Sequence, residues 1–354
     1  MKGFRGLSRR STVLTPEKKA AAIAGLRYAI PKGAGIIRRR AGHGFVYLWQ
    51  GKILKNEVIL KRIRSLVIPP AWTSVWISPD ANGHIQAVGY DARGRKQYRY
   101  HPEYRHVRDL VKFDRMRSFG RALPRIRRIV GRDLVRPGLP KRKVVAAIVR
   151  LLETTYIRVG NEEYVKENES FGLTTLRNRH VEILGEVLRF HFRGKSGQRH
   201  EIALDDARLA RIVKKCKCLP GSAVFQYLDE DGRPASVDSG DVNEYLKEIA
   251  QGEFTAKDFR TWGGTCLALE SLVEKGQEER AANIKTALVD VVKSVASKLG
   301  NKPNTCRKYY IHPDVLESFA TGRLAQMAAG LRNGESYLYE KLLLSLLKPQ
   351  KLAA

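Results

Sequence analysis

Between residues 44 and 102 the chain alternates short strand-like runs with glycine-bearing turns, and from Tyr104 onward the pattern becomes helical. That switch constrains the fold more than any other feature, because side chains alternate every two residues on a strand but return to one face every 3.6 on a helix. The strand-like runs are GFVYLWQ (44–50), SVWISPD (74–80), GHIQAVGYD (83–91) and KQYRYHP (96–102). Asp80-Ala81-Asn82-Gly83 and Asp91-Ala92-Arg93-Gly94 join the last three, and their glycines tolerate positive φ, so the spacing predicts an antiparallel meander. Between the first two runs, residues 52–67 carry helical spacing and stop at Pro69-Pro70.

Beyond Tyr104, residues 105–134 read as a basic helix broken at Pro124, and 141–160 as a helix with an apolar stripe that ends at Gly160. A second strand pair is predicted over 180–204, with helices through 205–250, 265–299 and 313–347. The expected class is α+β, a small antiparallel β-sheet domain followed by a mainly α-helical domain carrying a small sheet. The expected boundaries are a basic flexible arm over 1–25 with a short helical start at Thr15-Pro16-Glu17, a sheet domain over 26–107, a helical domain over 108–347 and a tail over 348–354. No internal repeat or low-complexity tract interrupts this order.

Charge narrows the partner. The chain holds 65 Lys and Arg against 36 Asp and Glu, a net +29, which points to a polyanion. Residues 1–150 hold 35 basic and 8 acidic side chains, a net of +27, whereas 151–354 hold 30 and 28, a net of +2. Such asymmetry describes a docking surface joined to an ordinary folded body, and a phosphate backbone is its natural ligand. An anionic membrane is the competing partner, but no apolar run is long enough to span a bilayer and the basic start MKGFRGLSRRST lacks the apolar core of a secretory signal. Cys216, Cys218, Cys266 and Cys306 do not form a metal-binding spacing, so no metal is expected, and reduced thiols in a cytoplasmic compartment are.

The run GNKPNTCRKYYIHP (300–313) sets two tyrosines beside an Arg-Lys pair. Cationic neighbours lower a phenol's pKa and stabilise the charge it attacks, which suits a nucleophile directed at a phosphodiester; a surface turn with a half-buried aromatic is the plainer alternative. Gly194-Lys195-Ser196 is not a phosphate-cradling loop, because the required earlier glycine position is Arg189; RGKSGQ reads instead as a hairpin tip with Lys195 at its apex. Gly33-Ala34-Gly35 likewise lacks the third glycine and preceding strand of a dinucleotide fingerprint.

Six ordered blocks, PPAWTSVWIS (69–78), GYDARGRKQYRYHP (89–102), YIRVGNEEYVKENESFGLTTLRNRHV (156–181), FRGKSGQRH (192–200), KDFRTWGGT (257–265) and LGNKPNTCRKYYIHP (299–313), resemble the type IB DNA topoisomerases, in their compact poxvirus-like and bacterial branch. The resemblance implies a C-shaped clamp on duplex DNA and a catalytic set of Arg158, Lys195, Arg260, Asn301 and Tyr310. Tyr310 is the implied nucleophile and forms a 3′-phosphotyrosyl link; Lys195 is the implied general acid; Arg158, Arg260 and Asn301 stabilise the phosphate. Asn301 stands where viral and eukaryotic members carry His, and it has no acid–base role because an amide does not titrate. The resemblance further implies Gln97, Tyr98 and Tyr100 as base contacts, Arg108 on phosphate, and Tyr164 with the Lys166–Glu169 segment around Arg158. It also implies relaxation of supercoiled DNA by strand rotation and religation, without ATP, metal or other cofactor, by a monomer associated with the nucleoid. The rivals are a tyrosine recombinase, against which DFRTWGGT lacks a His-x-x-Arg arrangement, and a non-catalytic basic nucleic-acid-binding protein, which leaves the separate catalytic blocks unexplained.

Overall fold

The computed structural model describes residues 16–31, 34–92, 94–278, 284–329 and 336–347. Its contacts gather into two units, Met1–Asp114 and Arg115–Ala354, so the division falls inside a helix and several residues past the expected 107.

The first unit is built on a six-stranded antiparallel sheet in the order β3-β2-β1-β4-β5-β6. Its strands are β1 (Ile36–Ala41), β2 (Gly44–Trp49), β3 (Lys52–Ile53), β4 (Thr73–Ile77), β5 (Ile85–Tyr90) and β6 (Lys96–Tyr100). The meander β4-β5-β6 follows the predicted pairing. Strand β1, IIRRRA, escaped the sequence pattern because its arginines look like solvated surface. One of them, Arg38, is buried, and its guanidinium donates to the carbonyls of Ile68 at 3.3 Å, Pro69 at 3.1 Å and Trp72 at 2.6 Å, which ties the PPAW turn to the sheet. Those three carbonyls offset the cost of burying the charge. Helix α2 (Glu57–Ser65), capped by the Asn56 side chain on Ile59 N–H, sets Ile63 against Ile36, Val75, Ile77 and Ala87.

Residues 1–15 of the expected arm lie outside the described residues, while α1 (Pro16–Ile23) packs Ala20 and Ala21 on Tyr104 and Val107. Tyr104 and Val107 belong to α3 (Pro102–Leu134), which runs through Pro124 without a break. A proline inside a helix costs about 3 kcal/mol, but Phe119, Leu123, Ile126 and Val130 are each buried on this segment, and their packing outweighs that cost.

In the second unit α4 (Lys141–Thr155) is the buried axis, with Val144 to Val149, Leu151 and Leu152 all inaccessible. It ends at Tyr156 rather than Gly160, and Tyr156 takes the left-handed cap (φ 56°) that usually falls to glycine. Helices α5 (Glu162–Asn168), α6 (Ala207–Lys217), α7 (Ser239–Ala250) and α8 (Ala256–Glu278) follow, then α9 (Ile284–Lys298), α10 (Pro303–Tyr309), α11 (Pro313–Ala320), α12 (Arg323–Ala328) and α13 (Ser336–Leu346). The predicted strand pair over 180–204 is a three-stranded meander, β7 (Val181–Leu184), β8 (Val187–Arg193) and β9 (Arg199–Asp205), because Gly185 at φ 61° permits a second tight turn. The hairpin β10 (Gln226–Leu228) and β11 (Pro234–Ser236) interrupts the helices expected through 205–250.

Candidate active site

Arg158 stands three residues beyond the end of α4, on a backbone pinned from the side. Its carbonyl accepts Leu173 N–H at 2.8 Å, and the Val159 carbonyl accepts Thr174 N–H at 2.7 Å. The crossing is so close that a Cβ on Gly172 would lie 2.6 Å from the Arg158 carbonyl oxygen, which accounts for glycine in ESFGLTT.

Arg260 comes from the first turns of α8 and is 3 % exposed. Its guanidinium donates to the Tyr156 carbonyl and, at 2.7 Å, to the Leu299 carbonyl. Both acceptors are free because helices end there. Tyr156 turns its backbone out of α4, and α9 closes in a Schellman motif in which Gly300 (φ 58°) donates to Ser297 at 3.0 Å and Asn301 to Ala296 at 2.8 Å. The negative end of α9 thus holds a cation. Burial first, and then the nearby Arg158 charge, lower the Arg260 pKa to about 10, against an opposing pull from Tyr310.

Asn301, delivered by that same motif, accepts a hydrogen bond from Arg158 Nη2 at 2.5 Å. Arginine only donates, so the amide oxygen must face it and Nδ2 must face away. Nδ2 is buried without a partner, as is Arg260 Nε. Two orphaned buried donors in one cluster mark where an acceptor is missing.

Tyr310 caps α10, with its ring 5.1 Å below the Arg260 guanidinium. Burial pushes its phenol pKa up, but Arg260, Arg158, a hydrogen bond with Arg260 and Lys257 together outweigh burial and leave it below the ordinary value. The Thr265 hydroxyl, fully buried in α8, lies 3.0 Å from the Tyr310 carbonyl and accepts His312 N–H at 3.2 Å. Tyr309, the other tyrosine of the pair, sits under Lys308 at 5.5 Å.

Lys195 is placed apart from this cluster. It is exposed in the β8–β9 tip, where Ser196 adopts φ 63°, and its ammonium lies 4.8 Å over the ring of Tyr164 on α5. In the first unit, Gln97 Nε2 donates to Asp91 at 2.9 Å, Tyr98 is exposed and stacks on Tyr100, and Tyr100 continues onto Tyr104. The backbone of Arg108 is in α3, and its side chain lies outside the described residues.

Sequence reasoning passed over Gly263, Gly264 and Thr265, which build the cluster, and His200, which lies beside it. Gly263 and Gly264 sit mid-helix in α8, where a Cβ would fall 2.1 Å from the Tyr156 ring and 2.9 Å from the Tyr310 carbonyl oxygen. A Gly-Gly pair inside a helix is costly, and that cost was the available signal. Thr265 and His200 carried no such signal. His200 is buried beside Arg158 and Arg260, and burial first, then those charges, lower its pKa to about 4.

Residues 101–332 match the model of the eukaryotic DNA topoisomerase I catalytic core, and residues 44–91 that of the bacterial DNA topoisomerase IB N-terminal domain. The chain belongs to the type IB DNA topoisomerases. It is 34 % identical over 296 residues to DNA topoisomerase 1B of Acanthamoeba polyphaga mimivirus, covering 80 % of this chain and 87 % of that one. It is also 25 % identical over 237 residues to DNA topoisomerase 1B of Vaccinia virus (strain Copenhagen), covering 65 % and 71 %.

Proposed function

We propose that the protein relaxes supercoiled duplex DNA by cutting and resealing one strand through Tyr310. The phenol gives its proton to solvent and its oxygen attacks a backbone phosphorus, a phosphotyrosyl bond forms to the 3′ side, and the bond to the 5′-oxygen breaks. Lys195 gives that oxygen its proton; on religation the 5′-hydroxyl attacks, the phenol leaves, and Lys195 takes the proton back. One ester replaces another at each step, so the reading requires no energy input.

The observation that carries this reading is the pair of unpartnered buried donors, Arg260 Nε and Asn301 Nδ2, gathered with Arg158 around a phenol of lowered pKa. A phosphodiester supplies the missing acceptors, and its non-bridging oxygens gain charge in the transition state, where fixed donors contribute most. Lys195, resting on Tyr164, reaches the leaving oxygen only once DNA is bound, and apo geometry of this kind is common for catalytic groups. The basic first unit binds the duplex, with Tyr98 on its exposed face and Gln97 exchanging its Asp91 bond for a base edge. The protein works as a monomeric clamp on the chromosome in the cytoplasm.

The test is supercoiled plasmid in the presence of EDTA. Relaxed topoisomers are expected, with a covalent adduct on a denaturing gel that Tyr310→Phe abolishes while duplex binding persists and Tyr309→Phe retains most activity. Recombined products would point to strand exchange, binding alone to a non-catalytic protein, and an adduct in Tyr310→Phe to another nucleophile.

A further inference from the structure

His200 belongs to neither the phosphate-binding cluster nor the proton donor, yet it touches the root of both. It sits on β9 opposite Phe192 of β8, with the two rings stacked at 4.8 Å and 9°. On one side is Gly194, where a Cβ would fall 2.7 Å from the imidazole Nε2 and Cδ2; on another is Gly300, where a Cβ would fall 2.3 Å from Cε1. Only glycine fits at either place, so the ring is in contact with two stretches of bare backbone. Gly194 immediately precedes Lys195, and Gly300 immediately precedes Asn301.

We propose that His200 is a positioning residue, the spacer that fixes the root of the Lys195 hairpin against the Gly300–Asn301 loop. The hairpin base is also held by Gly194 N–H donating to the Gln198 carbonyl at 2.7 Å and by the Arg193 carbonyl accepting Phe171 N–H at 2.8 Å, but neither bond reaches the Gly300–Asn301 loop. A cavity of about 780 Å³, lined by His200 together with Tyr156, Gln198, Gly300 and Asn301, adjoins the ring, so truncating the ring enlarges an existing space between the hairpin root and the loop. The ring remains uncharged beside two guanidiniums, which suits a spacer, since a third cation there would repel Arg158 and Arg260. Lys195 has a long flexible stem, so where its ammonium arrives depends on where the hairpin root is held.

This inference rests on the reading that Lys195 acts in strand cleavage, and the experiment separates failure of the two. Single-turnover cleavage of a duplex oligonucleotide is measured for His200→Ala, Lys195→Ala and the double substitution, alongside duplex binding and thermal unfolding. A displacement of about 1 Å at a reacting group costs on the order of 10²-fold, so His200→Ala is expected to lose roughly that factor with binding little changed. Because it acts through Lys195, it adds less than about threefold when Lys195 is already Ala, the sign of two groups working as a unit. On a substrate whose bridging 5′-oxygen is replaced by sulfur, which leaves without a proton, His200→Ala recovers most of its loss. His200→Phe, which keeps a flat ring stacked on Phe192, recovers most of it on the natural substrate. If His200→Ala unfolds, His200→Leu carries the same cycle. Wild-type cleavage in the Ala and Leu variants, or losses that multiply in the double variant, would overturn the spacer role. Failure of sulfur to rescue Lys195→Ala would instead remove the general-acid reading, leaving the cycle to decide whether His200 acts through Lys195.

Discussion

Asn301→Asp should move stability and catalysis in opposite directions. The two side chains have nearly the same shape, so the Schellman turn at Gly300 and the position of the side chain are kept. In the free enzyme the carboxylate still accepts from Arg158, so a bond charged on one partner becomes an ion pair. The new charge lies beside Arg158 and near Arg260, whose pKa is lowered by burial first and then by the Arg158 charge. The orphaned Nδ2 disappears as well, removing a buried donor without a partner. The thermal midpoint should therefore hold or rise. In the transition state the same change removes one donor to the phosphate, about 2.7–4 kcal/mol by analogy with an oxyanion-hole donor. It also sets a negative charge beside the phosphate; at roughly 4 Å and an effective dielectric of about 20 the repulsion is on the order of 4 kcal/mol. Together these amount to about 7 kcal/mol, or ~10⁵-fold in cleavage rate. Single-turnover cleavage on a duplex oligonucleotide, with the adduct resolved on a denaturing gel, reads the rate, and calorimetry reads stability. Cleavage within about tenfold of wild type would mean that the Asn301 amide does not face the phosphate, and the assignment of the cluster would have to be abandoned.

Lys195→Ala should lose cleavage by about 10²–10⁴-fold and recover most of it on the sulfur-bridged substrate, whereas Arg260→Ala should not recover to the same extent; equal rescue of both contradicts the division of roles. Cleavage should rise with pH through a midpoint below about 10, the ordinary phenol value. In Arg260→Ala that midpoint should move up, because burial, which raises the Tyr310 pKa, then loses its largest opponent; a pH–rate profile with an unmoved limb argues against Tyr310 as the titrating group. Gly263→Ala should destabilise the fold by roughly 1–3 kcal/mol, since its methyl enters the Tyr156 ring, and should slow cleavage by shifting the Tyr156 carbonyl that holds Arg260; an unchanged thermal midpoint would show that the approach of α8 to Tyr156 is looser than 2.1 Å.

The sequence by itself determined the elements whose information is local. The meander β4-β5-β6 was legible because its strand-like runs are separated by short glycine-bearing turns, of which Gly94 takes positive φ (71°), and α2 because residues 52–67 carry helical spacing that Pro69-Pro70 stops, although Lys52 and Ile53 form β3. The family blocks likewise single out Arg158, Lys195, Arg260, Asn301 and Tyr310 as the candidate set, Asn301 and Tyr310 within one block over 299–313. Strand β1 was not legible, because what makes IIRRRA a central strand is a set of carbonyls, at Ile68, Pro69 and Trp72, some thirty residues away that accept Arg38. Pro124 reads locally as a break, and packing along both flanks of α3 keeps the helix whole. The electrostatics of the candidate site depend on tertiary structure in the same way. Two helix ends, at Tyr156 and Leu299, meet to hold one guanidinium, and only that meeting brings Arg260 close enough to lower the phenol of Tyr310 and leaves two donors without acceptors. Propensity and turn chemistry act over a few residues and survive in the sequence, whereas burial and Coulomb interaction depend on distances that only the folded chain sets.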